Sequence, residues 1–215
     1  GSRYEEAFVS YLGRFNYDYR SKYLFEFSFR EDGSYRYAPS KRWAFFPAFS
    51  AGWRIGQEDF IKNYLPFISD LKIRGSWGKM GRDAGNAFEY YEGYTFSSIS
   101  GGYVFNENLL TIGMISPGVV NENLSWINTT TTDIGFDLEL WKGKFALTMD
   151  LFSKLSEGLL ATRITSVPNT FGATFPQENL NSSEIKGIEI MVSHRNSIGD
   201  FDYNVNANVT YSRLY

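Results

Sequence analysis

Apolar and polar residues alternate one for one along most of this chain. From Lys22 to Asp32, Tyr23, Phe25, Phe27 and Phe29 share one parity; Lys22, Glu26, Ser28, Arg30 and Asp32 share the other, with Leu24 the exception. Successive strand side chains point to opposite faces, so this segment is a ribbon with an aromatic face and a charged face. The preceding run repeats the pattern with Val9, Tyr11, Phe15, Tyr17 and Tyr19 against Ser10, Arg14, Asn16 and Asp18. Only Arg20-Ser21 separates the two, which predicts a hairpin. Applied to the whole chain, the alternation predicts about eight strands, at 8–19, 22–31, 42–55, 69–79, 126–140, 144–155, 184–195 and 201–213. Helical periodicity is confined to Gln57–Leu65.

The connections alternate too. Arg20-Ser21, Trp141-Lys142-Gly143 and Asn196–Asp200 are short, with 56–68 on the same side, whereas 32–41, 80–125 and 156–183 are long. Tight turns at one rim and long loops at the other are the pattern of outer-membrane β-barrels. Strands of about 12 residues rising 3.4 Å each, tilted near 40°, reach roughly 30 Å, enough for the apolar band. Tyr17, Tyr19, Tyr23, Trp53, Trp141 and Tyr203 are expected in an aromatic girdle at the short-turn rim, and Trp43, Trp77, Trp126 and Tyr211 in one at the other. A soluble β-sandwich or propeller also alternates in this way. Soluble strands run about 5–6 residues, however, roughly half the length seen here.

Composition sharpens this picture only at a few points. The 215 residues are 43% hydrophobic and 18% aromatic, with 15 Tyr, 19 Phe and 5 Trp. No run approaches the roughly 18 apolar residues of a spanning helix, so any membrane crossing is by strands. The net charge of −3 and the lack of a basic cluster exclude nucleic acid as an expected partner. Cysteine is absent. No catalytic constellation, metal site or cofactor motif stands out. His194, the sole histidine, falls at a strand end on the aromatic parity. Asp133, Asp137, Glu139 and Asp150 face the other way, beside Lys72, Arg74 and Lys154, as a solvated and charge-balanced inner wall.

Several segments, taken in order, resemble the SusC/RagA family of TonB-dependent outer-membrane transporters. These are Gly13-Arg14-Phe15-Asn16-Tyr17, Arg30-Glu31-Asp32-Gly33-Ser34, Phe46-Pro47-Ala48-Phe49-Ser50-Ala51-Gly52-Trp53 and Leu71-Lys72-Ile73-Arg74-Gly75-Ser76-Trp77-Gly78. Asn123-Leu124-Ser125-Trp126, Asp133-Ile134-Gly135-Phe136-Asp137 and Gly187-Ile188-Glu189 continue the series. Departures at Tyr35, Glu122 and Ile127 touch only strand ends and loops. The resemblance implies an all-β, antiparallel transmembrane barrel of about 22 strands, of which residues 1–215 supply about eight from the C-terminal half. The plug and TonB box of such proteins have no counterpart among these residues. It further implies a Gram-negative outer-membrane location with lipid around the barrel, and no enzyme activity. The implied function is TonB-driven import of oligosaccharides or peptides under a SusD-like surface lipoprotein. A passive porin, a surface adhesin or a soluble carbohydrate-binding module are the alternatives.

The expected ligand surface is the long-loop rim. Tyr90, Tyr91, Tyr94, Phe96, Tyr103 and Phe105 crowd one loop, with Ser, Gly and Asn between them. Flat rings with small polar neighbours suit stacking on sugars or gripping peptides. Packing of the loop on itself or on a lid protein would use the same residues.

Overall fold

The computed structural model describes residues 5–97, 103–105, 109–115, 118–164, 173 and 175–215; the side chains of Thr95, 103–105 and 109–111 are outside that description. Eight long strands form one antiparallel sheet in chain order. They are β1 (Phe8–Tyr19), β2 (Tyr23–Ser34), β3 (Trp43–Arg54), β4 (Ile68–Arg82), β9 (Ile127–Leu140), β10 (Phe145–Thr162), β11 (Gln177–Ile198) and β12 (Phe201–Leu214). Between β4 and β9, the strands β5 (Thr95–Ser97) and β8 (Gly113–Ile115) pair with each other, as do β6 (Tyr103–Phe105) and β7 (Leu109–Thr111). A 3₁₀ turn (Ile55–Gln57) and a short helix α1 (Asp59–Tyr64) join β3 to β4, where the sequence predicts one helical stretch. The outer edges of β1 and β12 have no strand partner among the described residues, so the sheet is open rather than a closed eight-stranded ring.

The predicted parity holds through the sheet. One face carries a row of cross-strand partners Phe15, Phe27, Phe49 and Trp77, one from each of four neighbouring strands. Phe27 stacks on Phe49 at 4.8 Å and Phe49 on Trp77 at 6.0 Å, contacts worth roughly 0.5–1.5 kcal/mol each beyond area burial. On the same face Phe25, Val205, Val209 and Tyr211 are exposed, so they do not pack between two sheets. The opposite face is polar. Leu24, the apolar residue among the polar positions of β2, lies over Gly52, its partner in the ladder, where the missing side chain leaves room.

Four strands extend by three residues or more beyond the lengths expected, β2 among them, which runs on to Ser34. β10 and β11 remain paired out to Thr162 and Gln177 because the register shifts at Glu157–Leu159, and again at Leu159–Leu160. Such bulges reverse side-chain parity, so the alternation in sequence stops while the ladder continues. β4 runs on to Arg82. The other difference is Trp126, which is 6% exposed and packs in a cluster with Tyr37, Phe46 and Leu124 instead of standing in a girdle. It precedes the first residue of β9, where ladder parity no longer sets the direction of a side chain.

At the short-turn rim the chain is fastened by Glu58. Its carboxylate accepts hydrogen bonds from Lys22 Nζ (2.8 Å), the Tyr23 hydroxyl (2.9 Å) and Trp53 Nε1 (3.2 Å). Those three donors hold the carboxyl down at about 2.

Candidate functional site

The long-loop rim is built on a small buried core. Tyr37 turns in from the β2–β3 loop and is fully buried against Trp126, with ring centroids 5.5 Å apart. Phe46 meets the same indole edge-on at 5.6 Å. The polar atoms of this cluster are used to hold loop ends. Ala84 N–H donates to the Tyr37 hydroxyl (2.9 Å), and Trp126 Nε1 donates to the Arg42 carbonyl (3.1 Å). Burial pushes the Tyr37 hydroxyl above its ordinary value, which keeps it protonated. Arg36 donates to the Gly85 carbonyl (2.9 Å) and pairs with Asp83 (3.3 Å). Thus both roots of the long β4–β9 connection, at 83–85 and 124–126, are pinned to one hub.

The outer end of the β10–β11 strand pair joins the hub through Asn179. Its side-chain oxygen accepts from Ser125 N–H (2.9 Å), while Nδ2 donates to the Ser125 (2.9 Å) and Gly158 (2.7 Å) carbonyls. Gly158 has a φ of +75°, so the bulge that carries it favours glycine. A groove of about 530 Å³ lies beside this joint, lined by Val119, Asn121, Arg163, Glu178 and Asn179 among others.

Above the hub sits an aromatic patch. Tyr90 and Tyr91 have ring centroids 4.5 Å apart, and both lie within 6.4 Å of Phe88. Phe88 in turn meets Tyr35 edge-on at 5.8 Å. Tyr91 is 63% exposed, Tyr94 68% and Phe96 73%. Of the residues expected in the ligand surface, Tyr90 and Tyr91 are joined in one patch, and Tyr94 and Phe96 stand exposed near it in sequence. Tyr103 and Phe105 lie on β6, but their side chains are outside the described residues. Sequence reasoning missed Phe88 and Tyr35. Phe88 sits in the same aromatic-rich run as Tyr90 and could have been included, whereas Tyr35 belongs to a different loop.

The polar face below carries charge arranged around one cation. Arg74 lies 2.7 Å from Asp150, 3.1 Å from Asp137 and 3.3 Å from Asp133. A trough of about 530 Å³ borders this group, lined by Asn16, Asp18, Glu26, Ser50, Lys72 and Asp133 among others. The inner wall is therefore hydrophilic and internally paired at this level. Among the described residues, no group of His, Cys, Asp or Glu is placed to hold a metal ion.

Comparison with known proteins accounts for nearly the whole chain. The family described as TonB dependent receptor-like, beta-barrel matches residues 3–214. The TonB-dependent receptor SusC of Bacteroides thetaiotaomicron is 33% identical over 206 residues, covering 95% of this chain and 20% of that protein. The TonB-dependent receptor P3 of Formosa agariphila is 30% identical over 209 residues, covering 97% and 20% respectively. Among solved structures, the RagAB peptide importer in its open-open state superimposes with a TM-score of 0.82 at 20% identity. That match covers 97% of this chain and 22% of the other. This chain spans about a fifth of the length of the relatives it matches.

Proposed function

The chain belongs to the TonB-dependent receptor β-barrel family, and from that premise we propose that it forms part of the wall of a SusC/RagA-type outer-membrane importer. The observation that carries this reading is the single open sheet with one face aromatic and the other polar. Its unpartnered edges, β1 and β12, join further strands of a larger barrel, because unpaired backbone groups are not tolerated at lipid depth. The cargo is an oligosaccharide, with the Tyr90–Tyr91 rim patch as its first contact. Exposed tyrosine faces beside Asn and Gly suit sugar rings. A peptide is the second reading, favoured by the fold's likeness to the RagAB peptide importer. The same rim receives a SusD-like lipoprotein lid, and a plug coupled to TonB drives the import.

The test is uptake by cells carrying the full-length receptor. Labelled oligosaccharide should enter only when TonB is present, and deletion of TonB should abolish uptake. Uptake that persists without TonB would instead make the protein a passive porin. Failure to accumulate any sugar, with accumulation of labelled peptide, would select the second cargo.

A further inference from the structure

We propose that α1 and the residues after it form an interfacial anchor, lying in the phospholipid headgroup layer at the short-turn rim. This inference rests on the barrel-wall reading given above. The helix has only six residues, Asp59 to Tyr64, and none of them is buried. At 3.6 residues per turn, Phe60, Tyr64, Ile61 and Leu65 fill one continuous arc, while Lys62, Asp59 and Asn63 fill the rest. Most of the apolar arc is bare: Phe60 is 51% exposed, Tyr64 83% and Leu65 36%, and Phe67 just beyond is 45% exposed, while Ile61 is half-buried. So much ring surface left in water is unfavourable and calls for something to cover it.

The geometry commits the occupant to lipid. A helix this short does not persist by itself; it is tied at both ends. Immediately before it, Glu58 accepts hydrogen bonds from the Tyr23 hydroxyl and Trp53 Nε1, and those two rings stack with centroids 6.2 Å apart. Tyr23 and Trp53 share the parity of Phe25, Phe27 and Phe49, the aromatic face of the sheet. After the helix, Trp141 N–H donates to the Phe67 carbonyl (2.8 Å) and Lys142 N–H to Ser69 Oγ (2.6 Å). Trp141 in turn packs edge-on against Phe145, another residue of that face. The segment that carries the bare arc is thus tied to residues of the aromatic face at both ends, although Glu58 also accepts from Lys22 of the polar parity. A tyrosine hydroxyl among apolar side chains, with Lys62 on the opposite arc, matches the chemistry of a headgroup layer.

Nitroxide labels on the full-length receptor in vesicles of phosphatidylethanolamine with phosphatidylglycerol test this. Labels are placed through Phe60→Cys, Tyr64→Cys, Asn63→Cys and Phe27→Cys, and collisions with oxygen and with a water-soluble nickel chelate are compared. An anchor predicts an oxygen-to-nickel ratio at Phe60→Cys and Tyr64→Cys about twofold or more above that at Asn63→Cys. Equal ratios at all three helix positions would overturn it. So would low collision with both probes at Phe60→Cys and Tyr64→Cys, which would mean a protein partner covers the arc. Phe27→Cys separates the two readings. If its label meets oxygen while the helix labels meet nickel, the barrel stands and only the anchor falls; if it too meets nickel, the barrel reading itself is wrong.

Discussion

Arg74 on β4 and Asp150 on β10 form an ion pair, Nη2 to Oδ1 at 2.7 Å, across the strand that separates them. Both are ladder partners of Gly135 in β9. A Cβ on Gly135 would lie 2.5 Å from Arg74 Cζ and from Asp150 Oδ1. The pair thus occupies the space of an absent side chain, and Asp133 and Asp137 on either side of Gly135 complete the group around the guanidinium. A glycine in a strand interior weakens the strand locally; here it lets three strands share one cation.

Gly135→Ala should therefore destabilise the full-length receptor by about 1–3 kcal/mol, since the methyl must displace charged groups rather than fill a void. Gly75→Ala is the control, because an added Cβ there meets nothing closer than 3.8 Å. Urea unfolding of both variants in lipid vesicles would check this, and equal effects would mean that the ion pair does not depend on the gap.

The two faces can be told apart with a charge. Phe27 lies in the middle of the aromatic row and Ser28 lines a trough on the polar face. Phe27→Arg should cost roughly 2–4 kcal/mol in a bilayer, while Ser28→Arg should be nearly neutral. Folding of each variant into vesicles measures the difference, and similar costs would contradict the assignment of faces.

Strand positions were legible because period-two alternation is a direct consequence of the pleat. The signal failed where the pleat is interrupted. At Glu157–Leu160 the bulges hid the extension of β10 and β11, and just before β9 the parity rule put Trp126 on the wrong side. The rim hub was not legible at all, since Trp126 bonds to a carbonyl 84 residues away and Tyr37 to a backbone amide 47 away. Nothing local announces such contacts. For the inner wall, the sequence shows that acids and bases share a face, but the role of Gly135 appears only once the register is known. Tyr90 and Tyr91 were visible from local aromatic density, while Tyr35 joins them through a contact between loops.

Glu58 gives the short-turn rim a dependence on pH. Its carboxyl is held at about 2, below the ordinary 4.5, by Lys22, Tyr23 and Trp53. A depressed value in the folded state means a contribution fully present above 4.5 and lost as pH falls toward 2. Thermal melts of the native receptor and Glu58→Gln should thus differ by a constant amount at neutral pH. The gap should narrow below pH 4.5. A gap that does not change with pH would show that the carboxylate's charge is not what fastens this rim.

The rim hub and the aromatic patch should respond to substitution in opposite ways. Trp126→Ala removes the partner of Tyr37 and Phe46 together with the hydrogen bond to Arg42, and such losses from a packed cluster cost roughly 3–5 kcal/mol. Because this cluster pins both roots of the β4–β9 connection, the loss should appear as faster hydrogen exchange at 83–85 and 124–126, with the strands below unchanged. Tyr91→Ala removes a ring that is 63% exposed, so stability should move by no more than about 0.5 kcal/mol. Its cost should fall on recognition instead, a loss of up to about tenfold in affinity for the proposed cargo or the proposed lid lipoprotein. Measuring exchange and binding on both variants decides the matter. If Tyr91→Ala loosens the loop roots as Trp126→Ala does, the patch is packing for the loop and not a contact surface.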